Sequence, residues 1–440
     1  MLKYFYIFYL SGSLIVLDAA LNNLWVIIAA LFVFIMTMAV GFLEVGEFGV
    51  KFDRALLKTL IITCSAIFFM AFLGFNDAFA PTISGIIGNP VYNGIFLGGF
   101  NPNVAGILGG VWWSMTSTYF GTGLTTTTYF LFETAFAAVT LALVGLVVLR
   151  KMRMSAFFLY SIAYFLLIWA IPAAWIWNPT GWLARMGMVD FAGGLVVHGA
   201  AGAAGLGIML RIWQEEKKKG MKTSPQVSIN ANSGWLTLGL LLLWVGWFGF
   251  NPGSVLQFNS EALVVVITTF LAAAAACGST LVFTKFMLKR SPTLIDGVNG
   301  VLMGLIVITP VAGFVGIASA AILGLLGGPI FVWGESFFPK FKWFTDPAGL
   351  LAGHTVGGIF GVLMIAVFAQ KAFAAGSGFP SLPNGLLFGG GMAALRQMGV
   401  EILGVVVCML AVFVLSYLTC YAIAKLMGGS ITRKEYKAAE

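Results

Sequence analysis

The chain has 440 residues, of which 60% are hydrophobic and only 9% charged, and its formal net charge is +8. Soluble domains average about 25% charged residues, so this chain cannot cover a water-facing surface of its own size. The positive balance does not indicate a nucleic-acid partner, because Lys and Arg lie scattered in short segments between apolar runs, a pattern that belongs to membrane topology.

Runs of about 20 mainly apolar residues recur along the whole length, as bilayer-spanning helices require. The short alternating segments of a membrane β-barrel are absent. In chain order the predicted spans lie near 24–46, 56–75, 126–149, 155–176, 190–212, 233–250, 261–288, 296–309, 313–333, 347–369 and 399–425. The expected fold is therefore an all-α polytopic membrane protein with eleven transmembrane helices. Lys3, the apolar run to Leu17 and the small pair Ala19–Ala20 give residues 1–23 two readings: a cleaved signal peptide, the preferred one, or an outer extension of the first helix. The transmembrane domain then covers 24–425, and 426–440 form a short inner tail.

Lys and Arg set the orientation. With the N-terminus outside, the outer loops hold only Arg185, Lys371 and Arg396, and Lys3 precedes the first span. The rest of the 24 basic residues, among them Lys51, Arg54, Lys58, Arg150, Lys151, Arg153 and Lys217 to Lys219, fall inside. The C-terminus is then cytoplasmic. Cys64, Cys277, Cys408 and Cys420 stand singly in apolar runs, with neither metal-ligand nor CxxC spacing, and read as small buried or lipid-facing side chains.

The chain has two histidines, and both close the same pattern. Asp190-Phe-Ala-Gly-Gly-Leu-Val-Val-His198 and Asp346-Pro-Ala-Gly-Leu-Leu-Ala-Gly-His354 each read Asp-x-Ala-Gly, four residues, His. The span after Asp190 runs inward and the span after Asp346 runs outward. A second pair agrees: Val45-Gly-Glu-Phe-Gly49 ends the first span at the inner face, and Val245-Gly-Trp-Phe-Gly249 ends the sixth at the outer face. Spans 1–5 and 6–10 thus form inverted five-helix repeats, with one further C-terminal helix. Such folds place the substrate path at the repeat interface near the midplane, where His198 and His354 are expected to meet. Paired histidines at membrane depth are functional candidates. The aspartates have a plainer reading as helix N-caps, with Pro347 suited to the first helical position; Asp190, at the outer face, also shapes a cation vestibule. Gly349, Gly353, Gly357 and Gly361, at spacing four, are expected to serve close helix packing.

Several stretches resemble the ammonium transporter (Amt/Mep/Rh) family: DFAGGLVVHGAAG at 190–202, LLWVGWFGFNPGS at 242–254, DGVNGVLMGLIVITPVAGFVG at 296–316 and AGHTVGGIFGVL at 352–363. FETAFAAVT at 132–140 and the region of Trp177 match more weakly. The resemblance implies a homotrimer with one pore per subunit and ammonium or ammonia, including the analogue methylammonium, as substrate. It implies an outer binding site at Trp177, Phe136 and Ser254, with Phe132 and Glu133 beside them. Phe136 and Phe250 match stacked gate rings, Trp247 a pore-wall aromatic, and His198 with His354 the twin-histidine pair. The sequence also departs from the family pattern. Glu133 replaces a usual glutamine, Leu195 a usual threonine, and Glu44 and Glu47 stand in an otherwise apolar, Gly-rich stretch; Glu47 could reach the inner interface with Lys51. The short tail weakens the inference of a P-II-type regulatory partner.

Elementary energetics supports the same reading. An aromatic face attracts a partly desolvated cation by about 2 kcal/mol, whereas burying a bare ion in an apolar pore costs on the order of 20 kcal/mol in the idealised limit. Taking a proton from an amine a few pKa units above neutrality costs only roughly 3–5 kcal/mol. Deprotonation at the mouth, followed by passage of ammonia with or without a separately relayed proton, is the cheaper route. The competing reading is an ammonium sensor of the same fold that binds without conducting. No nucleophile–base pair, metal cluster or phosphate loop marks an enzyme, and no cofactor is expected.

Overall fold

The protein is described by a computed structural model that covers residues 2–92, 95–98, 123–148, 151–220, 230–341, 346 and 349–433, with side chains from residue 17 onward. Its principal helices in chain order are α1 (Leu2–Phe48), α2 (Phe52–Phe79), α3 (Thr126–Val147), α4 (Met154–Ile176), α5 (Gly194–Lys218), α6 (Ser233–Gly253), α7 (Ser260–Met287), α8 (Leu294–Ile308), α9 (Ile317–Lys340), α10 (Leu350–Phe368) and α11 (Gly391–Leu426). Ten are long and apolar enough to cross a bilayer, and α8, with 15 residues, is the shorter eleventh. A two-stranded hairpin, β1 (Thr82–Ile83) with β2 (Ile87–Gly88), follows α2.

Each predicted span has its helix, with shifted edges. The largest shift is at the N-terminus, where α1 continues without a break through the expected boundary at residue 23. Pro347 lies outside the described residues, as do Arg150, Lys222, Lys342, Lys434 and Lys437 of the inner basic set.

α11 shows how one strip of sequence serves two solvents. Ala394, Gln397, Glu401, Gly404, Cys408, Val412, Ser416 and Cys420 are buried, while Leu395, Ile402, Val406, Leu410, Val414 and Leu418 are exposed. The buried set advances by three or four residues and the exposed set by four or seven, so each forms one face of the helix. The exposed face is the apolar surface that a bilayer would cover. At the centre this two-facedness disappears: 94% of the most apolar stretch of α3 is buried, against 22% for α11. α3 is surrounded by protein, whereas α11 packs one face against it and leaves the other, apolar face uncovered.

The repeats pack as an inverted pair. α1 lies along α6, its counterpart; α2 contacts α3 and α4, as α7 contacts α8 and α9. α5 and α10 cross where neither tolerates a side chain, since a methyl on Gly358 would collide with the Gly194 carbonyl and one on Gly202 with Thr355. This close approach brings the two histidine-bearing helices together. Beyond α11 the chain turns back onto the end of α5: Glu215 accepts the Ile431 backbone N–H at 3.0 Å and the Ser430 hydroxyl at 2.6 Å.

Candidate conduction pathway

The two Asp-x-Ala-Gly sequences fold into one backbone device. Gly193 and Gly349 adopt left-handed conformations, with φ of 105° and 60°, which a residue with a Cβ enters only at a cost. The turn at each glycine brings the aspartate three residues upstream back over the first helical turn. Asp190 accepts the N–H groups of Leu195 and Val196 at 2.8 and 2.9 Å; Asp346 accepts those of Leu351 and Ala352 at 2.6 and 2.8 Å, at identical offsets. Asp190 takes two more, from Gly193 and Gly194, at 3.1 and 2.7 Å. The aspartates therefore cap as expected, but from outside the helix, because the left-handed glycine occupies the N-cap position. Gly349 thus serves conformation, not the packing ladder, whereas a methyl on Gly361 would collide with the Val307 carbonyl.

Each helix then begins with a π-helical turn, Gly194–Gly199 and Leu350–Thr355, and each turn carries a histidine. Such wide turns rotate a side chain away from its α-helical direction. His198 and His354 meet with Nδ1 atoms 3.1 Å apart and ring centroids at 5.1 Å. One Nδ1 donates and the other accepts, so one outward Nε2 is an acceptor and the other a donor. His198 Nε2 has no protein partner among the described residues.

The aromatic residues cluster on the outer side of this pair. Trp247 and Phe250 each stack on His198, with centroids at 5.9 Å. Phe136 lies 4.3 Å from Phe250, 4.7 Å from Phe132 and 5.7 Å, edge-on, from Trp177. Phe136 and Phe250 are fully buried, so the path is shut between them and the exterior. Outside this shutter lies a cavity of about 390 Å³ lined by Phe132, Glu133, Phe136, Trp177, Asp190 and Ser254 among others. The six residues expected at the outer site thus share one cavity. Trp177 is anchored by its indole N–H, which donates to the Asp190 carbonyl at 2.7 Å, and the Ser254 hydroxyl donates to the Phe250 carbonyl at 2.8 Å. Glu133 is buried; Tyr129 hydrogen-bonds its carboxyl, and Oε2 has no partner among the described residues.

Inward of the pair the path narrows to a cavity of about 20 Å³ walled by His354, Glu47 and Asn299 with aliphatic side chains. Glu47 is buried, unlike the exposed Lys51. Glu44 forms a buried ion pair with Lys58, which also donates to the Gly145 carbonyl at 3.1 Å.

Sequence reasoning missed the groups that hold these walls. The Trp247 indole N–H donates to the Thr309 hydroxyl at 3.1 Å, which donates to Asn251 Oδ1 at 3.2 Å, while Asn251 Nδ2 donates to Thr269 at 3.1 Å. Behind Asp190, Glu401 accepts the Val189 N–H at 3.2 Å and a Gln397 amide hydrogen at 2.6 Å. Polar residues in otherwise apolar spans were the available signal, but nothing in the sequence names their partners.

A multi-pass membrane protein built from inverted helical repeats, with a closed path between its halves, is the class that this architecture defines. The sequence model of the Ammonium Transporter Family matches residues 24–439, and the chain belongs to that family. It is 29% identical over 411 residues to the ammonium transporter of Bacillus subtilis, covering 92% of this chain and 91% of that one. Archaeoglobus fulgidus ammonium transporter Amt1 is 31% identical over 382 residues, with 86% of each chain covered. Among solved structures, one described as a sensor Amt protein superposes with a TM-score of 0.77 at 27% identity, over 93% of this chain and 94% of that one. Saccharomyces cerevisiae Mep2 shares the fold, with a TM-score of 0.79 at 24% identity over 96% and 92% of the two chains.

Proposed function

We propose that this protein takes up ammonium across the cell membrane, with its N-terminus outside and its C-terminus in the cytoplasm, as a homotrimer whose subunits each conduct. The transport unit is residues 24–425. The observation that carries this reading is the buried His198–His354 pair, 3.1 Å apart, beneath an aromatic shutter at the floor of the outer cavity. Trp177 and Phe136 offer π faces to the cation, and Glu133 brings a carboxyl group to the same cavity. With both rings neutral, the pair supplies a donor and an acceptor at a depth where a bare cation is costly, so ammonia passes more readily than ammonium. Ammonium gives up its proton at the shutter and ammonia moves past the imidazoles. The proton either stays outside or is relayed through the pair.

The test is flux of labelled methylammonium into proteoliposomes, for wild type and His198→Ala. Wild type should exceed empty liposomes, and the variant should fall at least about 10-fold, since one buried hydrogen-bonding group accounts for about 1.4 kcal/mol or more. Absence of wild-type flux from well-folded protein would sink the transport reading. The alternative, a sensor that binds without conducting, is favoured by the unpaired buried oxygen of Glu133, which suits prolonged retention of a cation. Saturable ammonium binding without flux would select it.

A further inference from the structure

The pseudo-symmetry of the two repeats pairs Glu47 with Trp247, because VGEFG at 45–49 and VGWFG at 245–249 lie in corresponding helices, where Gly46 packs on Leu236 and Gly246 on Met36. It likewise pairs His354 with His198. Trp247 stacks on His198 at 5.9 Å, on the outer side of the histidine pair. Glu47 shares the inner cavity with His354. The same structural position therefore presents an aromatic ring to one histidine and a carboxyl group to the other.

We infer that Glu47 is the inner proton acceptor of the pathway, receiving the proton that the histidine pair relays and releasing it to the cytoplasmic side. The inner cavity, about 20 Å³, has room for about one water molecule. Its polar lining consists of Glu47, Asn299 and His354, and its remaining walls, such as Leu43, Leu146 and Leu243, are aliphatic. One water there can bridge imidazole and carboxylate, with the Asn299 amide as a further partner. A carboxyl group buried in a membrane span is costly to keep and marks proton or ion pathways.

The balance is simple. Ammonium outside becomes ammonia plus one proton. Ammonia crosses uncharged, while the proton passes from the histidine pair through the bridging water to the Glu47 carboxylate. The resulting carboxylic acid then returns that proton to the inner solution, and no oxidation or reduction takes part.

This inference rests on the transport reading and is tested separately from it. Wild type, Glu47→Gln and Glu47→Asp are reconstituted, and two quantities are read: charge moved after an ammonium jump, on a solid-supported membrane, and total amine taken up, from labelled methylammonium. Loss of one proton-transfer group should lower charge movement by about 100-fold in Glu47→Gln, with amine uptake nearly unchanged and charge movement largely retained in Glu47→Asp. If Glu47→Gln does not fold, Glu47→Ala is compared with Glu47→Asp instead, and charge movement should be lost in the first and largely retained in the second. Equal loss of both fluxes, or unchanged current in Glu47→Gln, overturns the inference. Wild type that passes ammonia without charge also overturns it and leaves the transport reading standing. Wild type that passes neither removes the transport reading itself.

Discussion

The lead-in turns of α5 and α10 are the same backbone object with different duties. Both use an aspartate, a left-handed glycine three residues on, and a π-helical turn that carries a histidine. Yet Asp190 accepts four backbone N–H groups where two accepted by Asp346 are seen. The surroundings diverge further: an aromatic cavity of about 390 Å³ opens outside the first turn, and about 20 Å³ with one carboxyl group lies inside the second histidine. The two repeats share the backbone device, and the residues that line the two cavities set its two sides apart.

The comparison can be broken at several points. Asp190→Ala should have the largest effect, because it leaves four N–H groups without their acceptor; a loss of about 3 kcal/mol or more is expected, read as the melting temperature of the purified protein. Asp346→Ala should cost roughly half as much on the same argument. Equal losses would show that the extra two bonds of Asp190 contribute nothing.

Gly193→Ala comes next. A left-handed alanine costs about 1–2 kcal/mol, and here the added methyl would also meet Val197. Gly349→Ala carries the conformational cost with a looser contact, against Phe331 at 3.1 Å, and should destabilise less. Melting of the two variants side by side checks the ranking.

Smaller effects belong to the lining. Glu133→Gln removes the ionisable group from the outer cavity, where Oε2 has no partner among the described residues; flux should be faster and saturate at a severalfold higher methylammonium concentration, since an ionic contact with a cation is worth about 1 kcal/mol. Unchanged saturation would make Glu133 a bystander. Thr309→Val, which unpairs the Trp247 indole, should cost about 1 kcal/mol in stability and slow flux only a few-fold. A larger loss than for Asp190→Ala would mean that the pore wall, not the lead-in turn, organises the path.

Much of this was legible in the residues. Apolar length predicts helices because an isolated backbone in lipid must satisfy its own hydrogen bonds, and all eleven helices, ten of them long enough to cross a bilayer, were visible on that ground. The inverted repeat was visible because a nine-residue pattern and a pentapeptide recur with reversed membrane direction. Phe132, Glu133, Phe136, Trp177, Asp190 and Ser254 could be named from the sequence, although the other residues that line the outer cavity with them could not.

What the sequence could not decide was whatever depends on which helices touch. Asp190 reads as an N-cap, but only the left-handed Gly193 shows that it caps from outside the helix and reaches four amides. Glu44 and Glu47 read as similar acids three residues apart. On a helix that spacing keeps them on neighbouring turns, yet α2 brings Lys58 to the first, while the second faces the space beneath His354. The tail after α11 reads as a short polar end, and Glu215, more than two hundred residues upstream, determines where it docks. Local chemistry determines the elements and their periodic faces; the partner of a buried polar group is a property of the packing, and packing is decided by all the helices together.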